Sequence, residues 1–591
     1  MILYESALKK TTTTGKPPKK QQGPTPAQEY LLAGAIAGFT LLLYLHSLKS
    51  GFVDWDDTGY LRDNPAVQHL DWEHLKTIFT SFYSGNYHPL TTLTYAFEYA
   101  VSGFNSATLY HFNNLWLHLV NVWLVYWFIR LISRNVTVAA IVAFWFGIHP
   151  MHVESVAWIS ERKDLLYGGF FLASLVSYCY YLREQGFPGE QVRGTAGGKR
   201  KFYLFSLFFF LLSLLSKSAA VVLPLVLLLV DFLMKRKFTL KQLSEKIPFF
   251  ALAMLFGILA ILSQGSAIHR GMDLDLSPVN RFFTVNYAIM RYVAFLFFPA
   301  GLSAYHPYPV IGQGGEGVII YLSVLFNLAI IAAAVWSLKY SGKWFFGFLF
   351  FLVNIVLVLQ ILPVGGAFMA ERYTYISYIG LFYIVACLLT GATEKSKQSS
   401  PRRMIPWALF ILFSIFFSVT AYQRIGTWAD SLALFDDVVK KYPDNHLAYY
   451  LRASARKDTD LAGAIADYNK SVALKPENPD AYNNLGNIYS AGGKYKEALA
   501  DYNAALRYDP ALTEALNNRG AVKAILGDLD GALVDINKAL KSRPDYRDAY
   551  RNRGLVRLQM KDIRSAREDW IKAAGMGDEL SVKFLDRYPE K

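Results

Sequence analysis

The sequence predicts an all-α protein: a polytopic helical membrane domain of about eleven spans, followed by a C-terminal α-solenoid of helical repeats. Two observations predict the first part. Of the 591 residues, 53% are hydrophobic and 16% aromatic, and the mean hydropathy is +0.22, a balance unusual for a soluble globular chain of this length. The apolar residues also gather before about residue 423, and the remainder is charged and rich in Asn, Asp, Lys and Ala. The third observation is a repeat with a 34-residue step in that polar remainder. The chain therefore meets two solvents, and the border falls close to Arg424.

A span needs about 20 apolar residues to cross a hydrocarbon core of about 30 Å. Residues 1–28 carry Lys9, Lys10, Lys16, Lys19 and Lys20 without the compact charged-then-apolar form of a cleaved signal. They are expected to form a disordered basic tail on the cytoplasmic side. The first span follows at 30–48. Later apolar runs are 113–133, 135–149, 165–182, 202–216, 218–234, 248–263, 317–337, 344–362, 374–390 and 404–422. Basic residues in short loops mark the cytoplasmic side. Arg130 and Arg134, Arg193 to Lys201, Lys235 to Lys237, Lys339 and Lys343, and Lys395 to Arg403 all fall there if the chain turns near Lys217 and 281–299 does not cross. As one helix, 202–234 would be about 50 Å long at ~1.5 Å per residue, hence the turn.

An odd count puts the N-terminus inside and the repeats outside. The expected organisation is a tail at 1–28, a membrane domain at 29–423 with its first outer loop at 50–112, and a repeat domain at 424–591. The net charge of +14 then reports orientation in a lipid bilayer, and nucleic acid is not an expected partner. Cys179 and Cys387 lie in apolar runs and read as packing residues.

In the polar part, Pro476, Pro510 and Pro544 are 34 apart, as are Gly486, Gly520 and Gly554, and Ala498, Ala532 and Ala566. This is the tetratricopeptide period, with small residues where paired helices cross and proline where the second helix ends. The array is expected to begin near Trp428 with a degenerate unit, to run through about three clear repeats and to end on a capping helix at 578–587. Stacked repeats offer an extended surface to a peptide or protein.

Acidic residues gather on the expected outer side: Asp54, Asp56, Asp57, Asp63, Asp71 and Glu73 all lie between Ser50 and Phe112. That loop is far longer than a turn between helices requires, and long ordered loops tend to carry function. The same face receives His88, His149, His152 and His306, with Arg162, Lys163, Lys217 and Arg372 near helix ends. Ionisable residues at membrane depth are costly and are functional candidates. A carboxylate beside cations suits one reaction class: a base takes a proton from an acceptor hydroxyl while cations neutralise a departing phosphate. Transfer of a sugar from a polyprenyl phosphate needs both groups.

The segments "FVDWDDTGYLRDNPAV", "FGIHPMHVESVAWISERKDLLY", "LLSKSAAVVLPLVLLLVDF", "FLFFPAGLSAYHPYP" and "LPVGGAFMAERYTYIS", followed by the repeats, resemble the transmembrane and tetratricopeptide-repeat O-mannosyltransferases and their bacterial relatives. The resemblance covers nearly the whole chain after about residue 50. It implies a membrane glycosyltransferase of C-type architecture that takes a polyprenyl-phosphate sugar as donor substrate, without cofactor or metal. It implies an inverting transfer to a Ser/Thr hydroxyl of an exported protein held by the repeats, on the periplasmic side of a bacterial inner membrane.

The family's acidic pair matches Asp56 and Asp57, with Asp56 assigned as general base and Asp57 as the partner that orients the acceptor or tunes its neighbour, the reverse order being the alternative. The extra acid Asp54 precedes them. Arg372 of "AERY", Lys163 and Arg162 of "SERKD", and Lys217 of "LLSK" are the implied donor-phosphate ligands. Ser218 after Lys217 departs from the acidic or proline residue of close relatives. His88, His149, His152, Glu154, Glu371 and His306 are the implied sugar or acceptor pocket. Two other readings stand beside this one: the same chemistry on a lipid or surface glycan, and a non-catalytic membrane scaffold that uses the repeats for assembly.

Overall fold

The structure, a computed structural model, describes residues 25–185, 196–272, 277–309, 316–361, 366–395 and 401–589. The expected basic tail, together with Arg193 and Lys397, lies largely outside them. Its last residues are already structured: Pro26 opens the helix Pro26–Tyr44, and Thr25 and Gln28 form a capping box. Each of the eleven apolar runs is helical over most of its described length, because a backbone surrounded by lipid must satisfy its N–H and C=O groups within the segment.

Length and hydropathy sort those helices. Among the described residues, seven are long and apolar enough to cross a membrane, from Pro26–Lys49 to Ile405–Thr427, and Val136–Ile148 with Pro150–Ala157, bent by 57°, makes an eighth as one broken span. That is fewer than about eleven. The difference has a physical cause in two short helices, Ser218–Leu233 and Lys343–Val358, which at ~1.5 Å per residue fall short of ~30 Å. Ala196–Ser216 opens on Lys199, Arg200 and Lys201. The chain does break at Lys217, whose extended backbone (φ −160°, ψ 133°) separates Ala196–Ser216 from the turn Ser218–Val222. Pro278–Phe295 is a helix but is not among the apolar candidates.

Helix contacts in the membrane domain are close where side chains are absent. A Cβ on Gly380 would lie 2.2 Å from the Gly347 carbonyl oxygen, so the helices Lys343–Ile355 and Thr374–Lys395 meet backbone to backbone. A two-stranded antiparallel ribbon pairs His306–Pro307 with Ala367–Met369 and sets the segment that contains Glu371 and Arg372.

The loop at 50–112 is ordered. It contains a π-turn at Thr58–Arg62 and helices at Pro65–Gln68, Trp72–Thr80 and Pro89–Ser102 before Thr108–Ser133 begins. In the repeats, a lone helix Ser431–Lys441 precedes the pair His446–Arg456 and Leu461–Leu474. Three further pairs follow at 479–508, 513–542 and 547–575, and Glu579–Arg587 closes the array. The pair at 446–474 makes one regular repeat more than the sequence suggests. A Cβ at Gly486, Gly520 or Gly554 would come within 2.6, 2.6 and 2.4 Å of Tyr502, Ile536 and Trp570, which explains the glycine period.

The two halves share one core: Leu434, Phe435, Val438 and Ala448 of the repeat side cluster with Val53 and Trp158 of the membrane side. The Gly51 amide donates to the Ala429 carbonyl at 2.7 Å, and the Asp54 amide donates to Ser431 Oγ at 2.7 Å. The last apolar helix therefore ends beside the loop at 50–112.

Candidate active site

The site is organised by a break in a helix. Val136–Ile148 stops at His149-Pro150, where proline cannot donate to the preceding turn. The chain then runs through Pro150–His152, Val153–Ala157 and Ile159–Glu161 before Arg162–Glu184 resumes. Such irregular backbone at membrane depth needs outside partners. Thr108–Ser133 supplies them from one face, at a spacing of four and three residues. Asn114 donates to the carbonyls of Val156 (3.3 Å) and Trp158 (3.1 Å), His118 Nε2 lies 3.2 Å from the Gly147 carbonyl, and Asn121 donates to that of Leu165 at 2.9 Å.

This stretch presents residues 160–164 to the Asp56 loop. Asp57 is fully buried and pinned: its carboxylate accepts from the Val53 amide at 2.8 Å, from the Ser160 amide at 3.0 Å, and from Ser160 Oγ. Burial pushes its pKa up to about 6, against the lowering effect of those bonds. Asp56 is half-buried and feels the charges of Lys163, Glu161 and Arg372. Burial, the largest effect, raises its pKa; Lys163 and Arg372 oppose the rise and Glu161 adds to it. The neighbours thus have different jobs. Asp57 fastens the loop to the 159–161 turn, and Asp56 carries the accessible carboxylate.

Three of the expected phosphate ligands converge on one buried carboxylate, Glu161. Lys163 Nζ is 2.9 Å from Glu161 Oε1, Arg372 Nε 3.3 Å from the same oxygen, and Lys217 Nζ 3.8 Å from Oε2. Lys217 also pairs with Asp164, and Arg372 with Glu154, which additionally accepts from the Arg372 amide at 3.0 Å. Arg372 lies over the Trp158 ring at 5.5 Å and Lys163 over Tyr60 at 5.3 Å. The carboxylates are sealed, whereas the cations keep 22% (Arg372), 15% (Lys217) and 11% (Lys163) of their side-chain surface. His88 is near both lysines; burial, then Lys163 and Lys217, push its pKa down to about 3. It is neutral at physiological pH.

Arg162 does not join this cluster. It is 1% exposed, pairs with Glu98, and donates to Asn114 Oδ1 (2.8 Å) and the Tyr110 carbonyl (2.9 Å) with its guanidinium over Tyr95. His149 and His152 are also turned into the core, 3.2 Å and 2.8 Å from the carbonyls of Leu296 and Phe146. Glu371 and His306 face the repeats instead. Glu371 is bound fork to fork by Arg424 at 3.1 Å twice; Arg424 reaches on to Asp437 at 3.1 Å, and His306 Nδ1 lies 3.0 Å from the Tyr442 hydroxyl.

Sequence reasoning missed Glu161, Asp164, Ser160 and Asn114. The alternating charges of "SERKD" and the polar residues inside "FNNLWLHLVN" were the available signals. Among the described residues no group of three or more His, Cys, Asp or Glu is arranged to hold a metal ion. Arg372, Lys163 and Lys217 bring three positive charges to this site.

The tetratricopeptide repeat profile matches residues 479–512, and a second TPR repeat profile matches 460–492. Human protein O-mannosyl-transferase TMTC1 is 25% identical over 513 residues, 77% of this chain and 56% of that protein. Human protein O-mannosyl-transferase TMTC3 is 23% identical over 517 residues, 78% of this chain and 53% of that protein. The chain spans a little more than half the length of these curated relatives. Among solved structures, the TPR protein YrrB, described as having an unusual peptide-binding site, aligns with 34% of this chain and 97% of its own at 23% identity and a TM-score of 0.24. Similarity over three quarters of the chain, joined to the matched repeats, makes this protein a distant relative of the TMTC protein O-mannosyl-transferases.

Proposed function

We propose that the chain is an inverting membrane glycosyltransferase that moves a sugar from a polyprenyl phosphate to a Ser/Thr hydroxyl of a polypeptide on the outer face of the membrane. The observation that carries the reading is the placement of Asp56: an accessible carboxylate beside three partly open cations, with its neighbour Asp57 tied down. Asp56 takes the proton of the acceptor hydroxyl as that oxygen bonds to the anomeric carbon. The bond from that carbon to the phosphate oxygen breaks with its electron pair, and polyprenyl phosphate leaves into the charge of Arg372, Lys163 and Lys217. Arg372 meets its carboxylates through Nε and Nη1, which leaves the Nη2 side of a planar fork suited to phosphate. Glu161, Asp164 and Glu154 hold the cations in place between turnovers. Arg162 has a fastening role in this account.

The topology supports the acceptor part of the reading. The Gly51–Ala429 and Asp54–Ser431 contacts require an odd number of crossings between the first and last apolar helices. Adding Ala196–Ser216 and the two short apolar helices to the eight gives eleven, which is odd, so we retain that topology, with an inner N-terminus and outer repeats over the Asp56 loop. Incubation of the full chain in proteoliposomes with a labelled polyprenyl-phosphate hexose tests the function. Label in a Ser/Thr peptide is expected; label in a lipid or glycan alone overturns the protein acceptor, and no transfer to any acceptor overturns the enzyme.

A further inference from the structure

A cavity of about 160 Å³ lies in the first outer loop, lined by Asn64, Thr77, Ser81, Tyr83, Asn86 and His88 together with Pro65, Ala66, Ile78, Pro89 and Thr92. We infer that this cavity holds the sugar ring of the donor and that Asn64 reads one of its hydroxyls. The inference rests on the glycosyltransferase reading above and adds a subsite that the cation cluster alone does not supply.

The lining decides the chemistry. It contains Asn, Thr, Ser, Tyr and His side chains, all neutral at physiological pH given the low pKa of His88, beside Pro65, Ile78 and Pro89. A phosphate would meet no cation there, and a prenyl chain would leave the Asn64 amide nitrogen and His88 Nδ1 unpaired, which is costly in a buried site. A pyranose has hydroxyls at its edge and an apolar C–H face, and it matches both. The volume is below the ~300–1,000 Å³ typical of drug-sized ligand pockets, so one ring fits and an oligosaccharide does not.

Two polar atoms at this cavity lack partners. Asn64 is 1% exposed. Its Oδ1 accepts from the Ala66 amide at 3.1 Å, while its Nδ2 is buried without a hydrogen-bond partner, as is His88 Nδ1. Native proteins rarely leave such atoms unmatched, and a ligand hydroxyl would match each of them. The cavity is also tied to the chemistry. Tyr83 Oη donates to the Gly59 carbonyl at 2.7 Å. Asn86 donates to Tyr60 Oη at 2.9 Å, and Tyr60 carries Lys163 on its ring. Asn86 and His88 also line a narrow cleft with Ser218, the residue after Lys217. In this proposal the phosphate end of a sugar in the cavity is directed toward the cations.

Two variants of the full chain test this. Asn64→Asp keeps the capping oxygen and loses the N–H donor; Ala66→Leu fills the cavity without altering a polar group. The readouts are KM for polyprenyl-phosphate mannose and for its C2 epimer, polyprenyl-phosphate glucose, and the inhibition constant of bare polyprenyl phosphate. Both variants are expected to raise the KM of sugar-bearing donors by about tenfold or more and to leave bare polyprenyl phosphate within about twofold, and Asn64→Asp changes the ratio between the epimers. Equal weakening of the bare lipid phosphate, or an unchanged KM in both variants, overturns the pocket. Wild-type protein that transfers neither sugar overturns the glycosyltransferase reading instead.

Discussion

Glu371 and Arg424 lie 53 positions apart and bind fork to fork, Nε to Oε2 and Nη2 to Oε1, both at 3.1 Å. Each belongs to a different half of the molecule's task. Glu371 precedes Arg372 of the cation cluster, and Arg424 sits in the last turn of the helix Ile405–Thr427, with Asp437 and Lys441 of the first repeat-side helix next in line. The seating of the repeats and the position of Arg372 are thus connected through one buried pair.

Removing one member of that pair strands a buried charge, so Arg424→Ala is expected to cost about 3–5 kcal/mol and to loosen the repeats. Thermal unfolding and limited proteolysis around 424–446 check this. The double change Glu371→Leu with Arg424→Leu is expected to recover much of the stability while transfer stays low, because Arg372 has lost its anchored neighbour. Full activity in the double variant argues against the connection.

Asp57 sets a pH dependence. Its pKa rises from 3.8 to about 6 in the folded chain, so the folded state binds a proton more readily than the unfolded one between those values. The stability from this carboxyl is complete below about pH 4 and is lost as pH rises through about 6. Activity should run the other way. The protonated group accepts poorly from Val53 and Ser160, and transfer is expected to fall below about pH 6, with an apparent pKa shared by the Asp56–Asp57 pair. A rate flat from pH 5 to 8 contradicts this.

Neighbouring arginine and lysine separate by role. Arg162→Met is expected to lower the melting temperature, since it leaves Glu98 buried and unpaired, and to leave the donor KM of the folded fraction within about twofold. Arg372→Lys should keep the melting temperature and lower kcat/KM by about 10²–10³, the usual effect of losing one oriented donor at developing charge. Interchanged results reverse the assignment.

Gly520→Val places a branched side chain against Ile536 and the Ala532 carbonyl. A cost of about 1–3 kcal/mol follows from overpacking, confined to the repeats. Hydrogen exchange should rise in 513–542 and stay unchanged in the Asp56 loop.

Much of this was legible in the sequence. Apolar runs marked the long lipid-facing helices, because lipid-facing composition needs no tertiary knowledge; Trp72–Thr80, Pro89–Ser102 and Pro278–Phe295 lie outside those runs. The lengths of the crossings were not legible, because 136–148 bends at a proline into 150–157 and because 218–233 is short. At the site, "DD", "SERKD" and "AERY" pointed to segments that the structure brings together. They did not say which residue in each does what. Arg162 and Lys163 begin one helix, and consecutive helical residues diverge by ~100°, so one enters the core and the other meets Asp56's loop. Glu161 and Asn114 owe their roles to partners far along the chain, as Glu154 owes its own to Arg372 218 positions away.

The most direct measurement compares sugar transfer by Asp56→Asn, Asp57→Asn and Asp54→Asn in purified full-length protein, with bare polyprenyl-phosphate binding as a control for folding. The account predicts that Asp56→Asn loses at least about 10³ in kcat while still binding the lipid phosphate, that Asp57→Asn loses activity and stability together, and that Asp54→Asn stays near wild type. Wild-type transfer by a folded Asp56→Asn variant would contradict it.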